Sequence, residues 1–85
     1  MSVQVIIDAA SKEDAAIIAK GLPGQPAASA LRGFGLIRLR VANGNEARRL
    51  VSLVAACVER EGLSWARVRV DDELHMCRGR VAKAS

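Results

Sequence analysis

The chain has 85 residues, 51% of them hydrophobic and only 2% aromatic, which predicts one small domain with an aliphatic core and excludes a disordered chain. Thirteen lysines and arginines against nine acidic residues give a net charge of +4. No apolar run is long enough to span a bilayer, no secretory signal is present, and two cysteines are too few for a disulfide framework. A cytoplasmic protein without a membrane partner is therefore expected.

The first half of the chain predicts a strand, a helix and a second, weaker strand. Residues 3–8 alternate side chains in the manner of a strand. Ser11 is a candidate N-cap for a helix over residues 12–20, which Gly21 closes. A loop rich in glycine and proline follows, and residues 27–31 then form either a weak strand or a short helical turn. The strand is favoured, because a long structureless connection is unusual in so small a domain. It would turn at residues 32–35 into the next strand.

The second half predicts two strands separated by a long amphipathic helix. The strands cover residues 36–42 and 64–71, and the helix begins at a cap on Asn43 or Asn45 and runs to Gly62. Apolar side chains at helical spacing predict its buried stripe, which consists of Ala47, Leu50, Val51, Leu53, Val54, Cys57 and Val58.

This order of elements predicts an α+β fold, a ferredoxin-like βαββαβ sandwich with two helices on one face of an antiparallel sheet. The first and third strands would lie at the centre, and the last strand would border the first. The alternative is a βαβαβ sheet with an extra C-terminal edge strand at residues 75–81. Residues 1–73 are expected to form the single α+β domain, and residues 74–85 a basic C-terminal edge strand or tail.

Arginines alternate with aliphatic residues in the strands predicted at 36–42 and 64–71. A strand sends successive side chains to opposite faces, so one face of each is buried and the other carries arginines. If both strands share a sheet, the side that the helices leave open becomes a candidate binding surface. Its predicted partner-binding residues are Ile6, Leu36, Arg38, Arg40, Trp65, Arg67 and Arg69, extended by Arg78 and Arg80 if the C-terminal segment pairs as a strand.

The mixture of residue types on this side favours a protein partner. Tryptophan and arginine are enriched at interface hot spots. A merely solvated face needs polar side chains but has no need of Ile6, Leu36 and Trp65. The partner would be a second copy, forming a homodimer packed sheet to sheet, or a different protein with an acidic surface.

Nucleic acid is the alternative partner, since the same arginines could neutralise phosphates and Trp65 could stack on a base. The order of elements is also that of the RNA-recognition fold, which presents aromatic side chains on its first and third strands. Residues 3–8 and 36–42 contain no aromatic side chain, and Asp8 is a poor neighbour for phosphate. A protein partner is therefore the main prediction.

The remaining chemistry-bearing residues predict no reaction. His75 and Cys77 would share one face of a strand, but two ligands are fewer than a zinc site needs. The serines lack the context of a nucleophile elbow. The expectation is a non-enzymatic protein with no catalytic residues, no cofactor and no metal. A regulatory small-molecule ligand is left open only by analogy with ligand-sensing modules of the ferredoxin-like fold.

Overall fold

The computed structural model describes residues 2–71 and 73–78. They form two helices and five strands, in the order β1 (Val3–Ala9), α1 (Lys12–Lys20), β2 (Ala28–Leu31), β3 (Phe34–Val41), α2 (Gly44–Glu61), β4 (Trp65–Val70) and β5 (Glu73–Arg78).

All five strands belong to one antiparallel sheet in the order β2-β3-β1-β4-β5. The protein is therefore an α+β domain, and β1 lies between β3 and β4 as predicted. The predicted four-stranded sheet is wrong in strand number, because β5 adds a fifth strand beside β4. The alternative sheet is right about a C-terminal edge strand, which is β5, but it is wrong in lacking a strand before β3, since Ala28–Leu31 pairs with residues 34–37.

Side-chain caps fix where the two helices begin. The Ser11 hydroxyl accepts a hydrogen bond from the Asp14 N–H at 3.1 Å, and the Asn43 amide oxygen accepts one from the Glu46 N–H at 3.0 Å. Asn43, not Asn45, is therefore the cap of α2, which ends at a left-handed Gly62. Neither helix within the described residues combines the length and the apolar composition that a membrane crossing requires.

The β2–β3 hairpin is tighter than the sequence predicted. Arg32 and Gly33 have φ angles of 52° and 86°, which makes them the two central residues of a type I′ turn. The sequence predicted a turn over residues 32–35 and a strand from residue 36. A two-residue turn instead lets the strand begin at Phe34, which adds an aromatic side chain to β3.

The hydrophobic core fills the space between the helices and one face of the sheet. Its fully buried members include Val5 and Ile7 of β1, Ile37 of β3, and Val54 of α2. Two residues of the predicted stripe are not among its buried members, since Leu53 is 41% exposed and Val51 is only partly buried and packs against the core. Both helices of the described residues lie on this one side of the sheet, and this asymmetry determines where a binding surface can lie.

Candidate functional site

The sheet register places the predicted arginines of β3 and β4 on the face away from the helices. Ile6 of β1 lies directly between Arg38 of β3 and Arg69 of β4, and Gln4 lies beside Arg40. Residues paired across an antiparallel sheet point to the same side. Because Val5 and Ile7 point into the core, their neighbours Gln4 and Ile6 point to the opposite, helix-free side.

We call this side the open face. Its residues come from four strands, namely Gln4, Ile6 and Asp8 of β1, Phe34, Leu36, Arg38 and Arg40 of β3, Trp65, Arg67 and Arg69 of β4, and Leu74, Met76 and Arg78 of β5. The arginines, tryptophan, isoleucine and leucine predicted as partner-binding residues are thus brought together, apart from Arg80. That residue lies outside the described part of the chain.

Asp8 organises the centre of the open face. Its carboxylate accepts a hydrogen bond from Arg67 Nε at 3.1 Å and pairs with Arg69 Nη2 at 3.2 Å. The Asp8 side chain is only 11% exposed, whereas both arginine side chains are nearly half exposed. From the sequence alone, Asp8 was expected to interrupt a cationic surface. In the fold it instead holds two guanidinium groups against the sheet, and each keeps further N–H donors for a ligand.

The two aromatic side chains of the protein meet at one end of the open face. The ring centroids of Phe34 and Trp65 are 6.2 Å apart, and the rings are tilted by 58°. This contact keeps Trp65 on the open face, half-buried, while Phe34 is 51% exposed. A depression of about 410 Å³ lies between this aromatic pair and the ion pairs of Asp8.

Sequence reasoning missed Phe34 because it was assigned to a turn. The signal was weak, since of the two turn residues only Gly33 favours the positive φ that a tight hairpin needs, and Arg32 does not. Had this two-residue loop been chosen, Phe34 would have become the first residue of the strand, two positions before Leu36 and on the same face.

Strand β5 adds a second apolar region to the open face. Its pairing with β4 sets Leu74 beside Arg69, Met76 beside Arg67, and Arg78 beside Trp65. Leu74 and Met76 are 55% and 49% exposed. The sequence did not assign these two residues to a site, because it left open whether the C-terminal segment was a strand and hence which face each side chain took.

The charge of the open face is unevenly neutralised. It carries five arginines against the single carboxylate of Asp8. Arg38, Arg40 and Arg78 form no ion pair with any residue in the described ranges. The face therefore presents cationic groups and large apolar groups side by side, with a preorganised centre.

The thiols and the histidine lie on the helix side of the sheet or in α2. Cys57 and Cys77 are free and buried, and burial raises the pKa of each thiol. His75 Nε2 lies 3.4 Å from Glu73 Oε1 at the sheet edge. Across residues 2–71 and 73–78, no cluster of three or more His, Cys, Asp or Glu side chains is arranged to hold a metal ion.

Comparison of the chain with protein-family models, with curated proteins and with solved structures finds no match. Its function is therefore inferred from the chemistry of the open face.

Proposed function

We propose that the chain is a non-enzymatic binding protein that engages a protein partner through the open face. The partner is either a second copy of the chain or a different protein with an acidic surface. The observation that carries this proposal is the exposure of Phe34, Leu74 and Met76 on the same face as five arginines.

The apolar side chains support a partner that excludes water from the face. Large exposed hydrophobic groups scattered singly are ordinary, but several on one face indicate an interaction site. Here Leu74 and Met76 are neighbours on β5, and the aromatic pair of Phe34 and Trp65 lies on the same face. Burying these groups would drive association, and Trp65 is the expected anchor.

The arginines support a partner that carries carboxylates. Arg67 and Arg69 are already held by Asp8, so little side-chain freedom is lost when they donate to a second carboxylate. Arg38, Arg40 and Arg78 surround this centre and would steer an acidic surface into place.

We also infer that the domain is a ferredoxin-like sandwich extended by one strand. The βαββαβ order of the first six elements supports this assignment, as does the position of β1 between β3 and β4. On this interpretation β5 is an addition at the edge beside β4, and it enlarges the open face.

Self-association is tested by light scattering over a range of protein concentrations. We expect the mass to rise toward that of a dimer, and we expect Met76→Glu to hold the protein monomeric, because the glutamate removes an apolar contact and would pair with the neighbouring Arg67 of its own chain. Ile17→Glu is the matched control, since Ile17 is also exposed but lies on α1. A wild type that stays monomeric at every concentration eliminates the second copy and leaves the acidic partner.

Nucleic acid is the second candidate, and the aromatic pair is the observation that favours it. Phe34 gives β3 an aromatic side chain that the sequence did not predict for this strand, and Arg67 lines the same depression as Phe34 and Trp65. Bases can stack on such side chains while arginines contact phosphates. Labelled single-stranded and duplex oligonucleotides, titrated at several salt concentrations, test this candidate. Absence of binding at low salt eliminates it, because phosphate contacts are strongest there.

A further inference from the structure

The outer edge of β3 is only half covered. Strand β2 pairs with residues 34–37 and ends there, although β3 continues to Val41. On the side away from β1, residues 39–41 have no strand partner within the described part of the chain.

The free edge presents hydrogen-bonding groups at alternate residues. The residues that flank a two-residue hairpin turn form a hydrogen-bonded pair, so the N–H and C=O of Phe34 point toward β2. By the alternation of a strand, Leu36, Arg38 and Arg40 point their backbone groups the same way. Leu36 meets β2, and the pairing of Ala28 with Ile37 also engages the Arg38 N–H with the Ala27 carbonyl. Within the described part of the chain, Arg40 projects its backbone groups from an edge without a partner strand.

A groove of about 840 Å³ runs between this edge and α2. Its apolar lining comes from Leu39 and Val41 of β3, Leu53 of α2, and Pro23 of the loop after α1. Leu53 is the residue that departs from the buried stripe of its helix, and in this groove it is exposed. The groove thus lies where another strand would fit beside β3, on the helix side of the sheet.

The charges around the groove are mainly positive. Arg40, Arg48 and Arg49 line it, and the carboxylate that also lines it belongs to Glu46. That carboxylate is partly engaged, because Glu46 Oε2 accepts a hydrogen bond from the Ala42 N–H at 3.1 Å. The groove therefore complements a segment that carries carboxylates.

We propose that this groove binds an extended, acidic peptide segment of a partner protein, which pairs with residues 39–41 as an additional strand through the backbone N–H and C=O of Arg40. Alternate side chains of the segment would point to the helix side against Leu39 and Leu53, and the others toward the arginines of the open face. An alternating sequence of apolar and acidic residues satisfies both sides. The proposal does not depend on the open face having a partner of its own.

The C-terminal segment of the chain itself does not suit the groove, because the segment is also positively charged. Residues 79–85 contain Arg80 and Lys83 and no acidic residue. Two basic side chains would approach a groove already lined by three arginines. A segment rich in glutamate or aspartate removes this repulsion.

Amide hydrogen exchange tests the edge directly. In the free protein the amide of Arg40 should exchange fast, while those of Leu39, which points toward β1, and of Arg38, which donates to Ala27, are protected. Adding a short peptide of alternating valine and glutamate should protect Arg40 and leave Leu39 unchanged. Protection of Arg40 in the free protein would overturn the proposal, because the edge would then already be covered.

The affinity for the same labelled peptide, measured by fluorescence anisotropy, tests the groove. We expect Leu53→Glu and Arg49→Glu each to weaken binding roughly tenfold. Lys12→Glu changes the net charge equally but lies on α1, outside the groove, and should retain the affinity. Trp65→Ala should retain it as well, which separates this site from the open face.

Two modified peptides complete the experiment. Replacing glutamate by lysine should abolish binding through charge, and methylating the backbone nitrogens that face β3 should abolish it by removing donors. Thermal unfolding verifies that each variant is folded before its affinity is compared. Equal binding of the lysine peptide, or equal loss in Arg49→Glu and Lys12→Glu, would contradict the proposal.

Discussion

Because Asp8 is paired with two arginines, removing Asp8 and removing the arginines should lower the free energy of unfolding by different amounts. Asp8→Asn keeps the side-chain shape but removes the charge, and it leaves two arginines that can turn toward water because both are nearly half exposed. Asp8→Asn should lower the free energy of unfolding by about 1–2 kcal/mol, as expected for the loss of hydrogen bonds to a charged group. Replacing Arg67 and Arg69 together by methionine instead leaves a carboxylate that is only 11% exposed without a cation.

The double arginine variant should therefore cost more than Asp8→Asn, about 3 kcal/mol. Arg67→Met or Arg69→Met alone should cost about 1 kcal/mol, because the other arginine still pairs with Asp8. The double variant should thus exceed the sum of the two single variants, which is the result of two cations sharing one buried carboxylate.

Urea unfolding followed by circular dichroism measures these differences. For a domain of this size the free energy of unfolding falls by about 1 kcal/mol per molar urea, so the midpoints should separate clearly. A double arginine variant as stable as Asp8→Asn would refute the reasoning, since the carboxylate would then be solvated without its arginines. Strict additivity of the two single variants would refute the shared pairing.

Three further predictions follow from backbone geometry and burial. Gly35→Ala should lower the free energy of unfolding, measured by thermal unfolding, by about 2 kcal/mol, because the new methyl group would overlap the backbone at the start of α1. The methyl group of Gly44→Ala meets no atom, so this control should be neutral or slightly stabilising. Arg32→Asn should raise the unfolding midpoint slightly, since asparagine tolerates the positive φ of 52° better than arginine. The buried thiols of Cys57 and Cys77 have raised pKa values in the folded state, so the stability they contribute is present at neutral pH and is lost as the pH rises through those values. Unfolding measured at neutral and alkaline pH should show this loss, and replacing both cysteines by alanine should reduce it.

Local signals were sufficient to predict both helices. Ser11 and Gly21 bound α1 where the sequence placed them, and Gly62 ends α2 in the left-handed conformation that favours glycine. Caps and helical periodicity depend on residues close together in the chain, so they can be read without knowledge of the fold.

Features that depend on long-range pairing were harder to predict. Whether the C-terminal segment is a strand depends on a free edge at β4, which exists only once the sheet has formed. Leu53 has the spacing of a buried residue, but in the fold it lines the groove beside β3 and is 41% exposed. The two ion pairs of Asp8 likewise join residues far apart in the sequence, and only the sheet register brings them together.

The arginine alternation was the part of the candidate site that could be predicted from the sequence. Strand periodicity alone places Arg38 and Arg40 on the same face of β3, and Arg67 and Arg69 on the same face of β4. It does not show that these two faces lie on the same side of one sheet, which follows only from the pairing of both strands with β1.

A photo-crosslinking residue at Met76 tests the central claim most directly, in the host cell and with the full chain. Met76 lies in the apolar part of the open face, and the same residue placed at Ile17 on α1 is the control. We predict crosslinks from Met76 to a protein, either a second copy or an acidic partner, which weaken when Arg67 and Arg69 are changed to glutamate. Crosslinks to nucleic acid, or equal protein crosslinking from Met76 and Ile17, would contradict the proposed function.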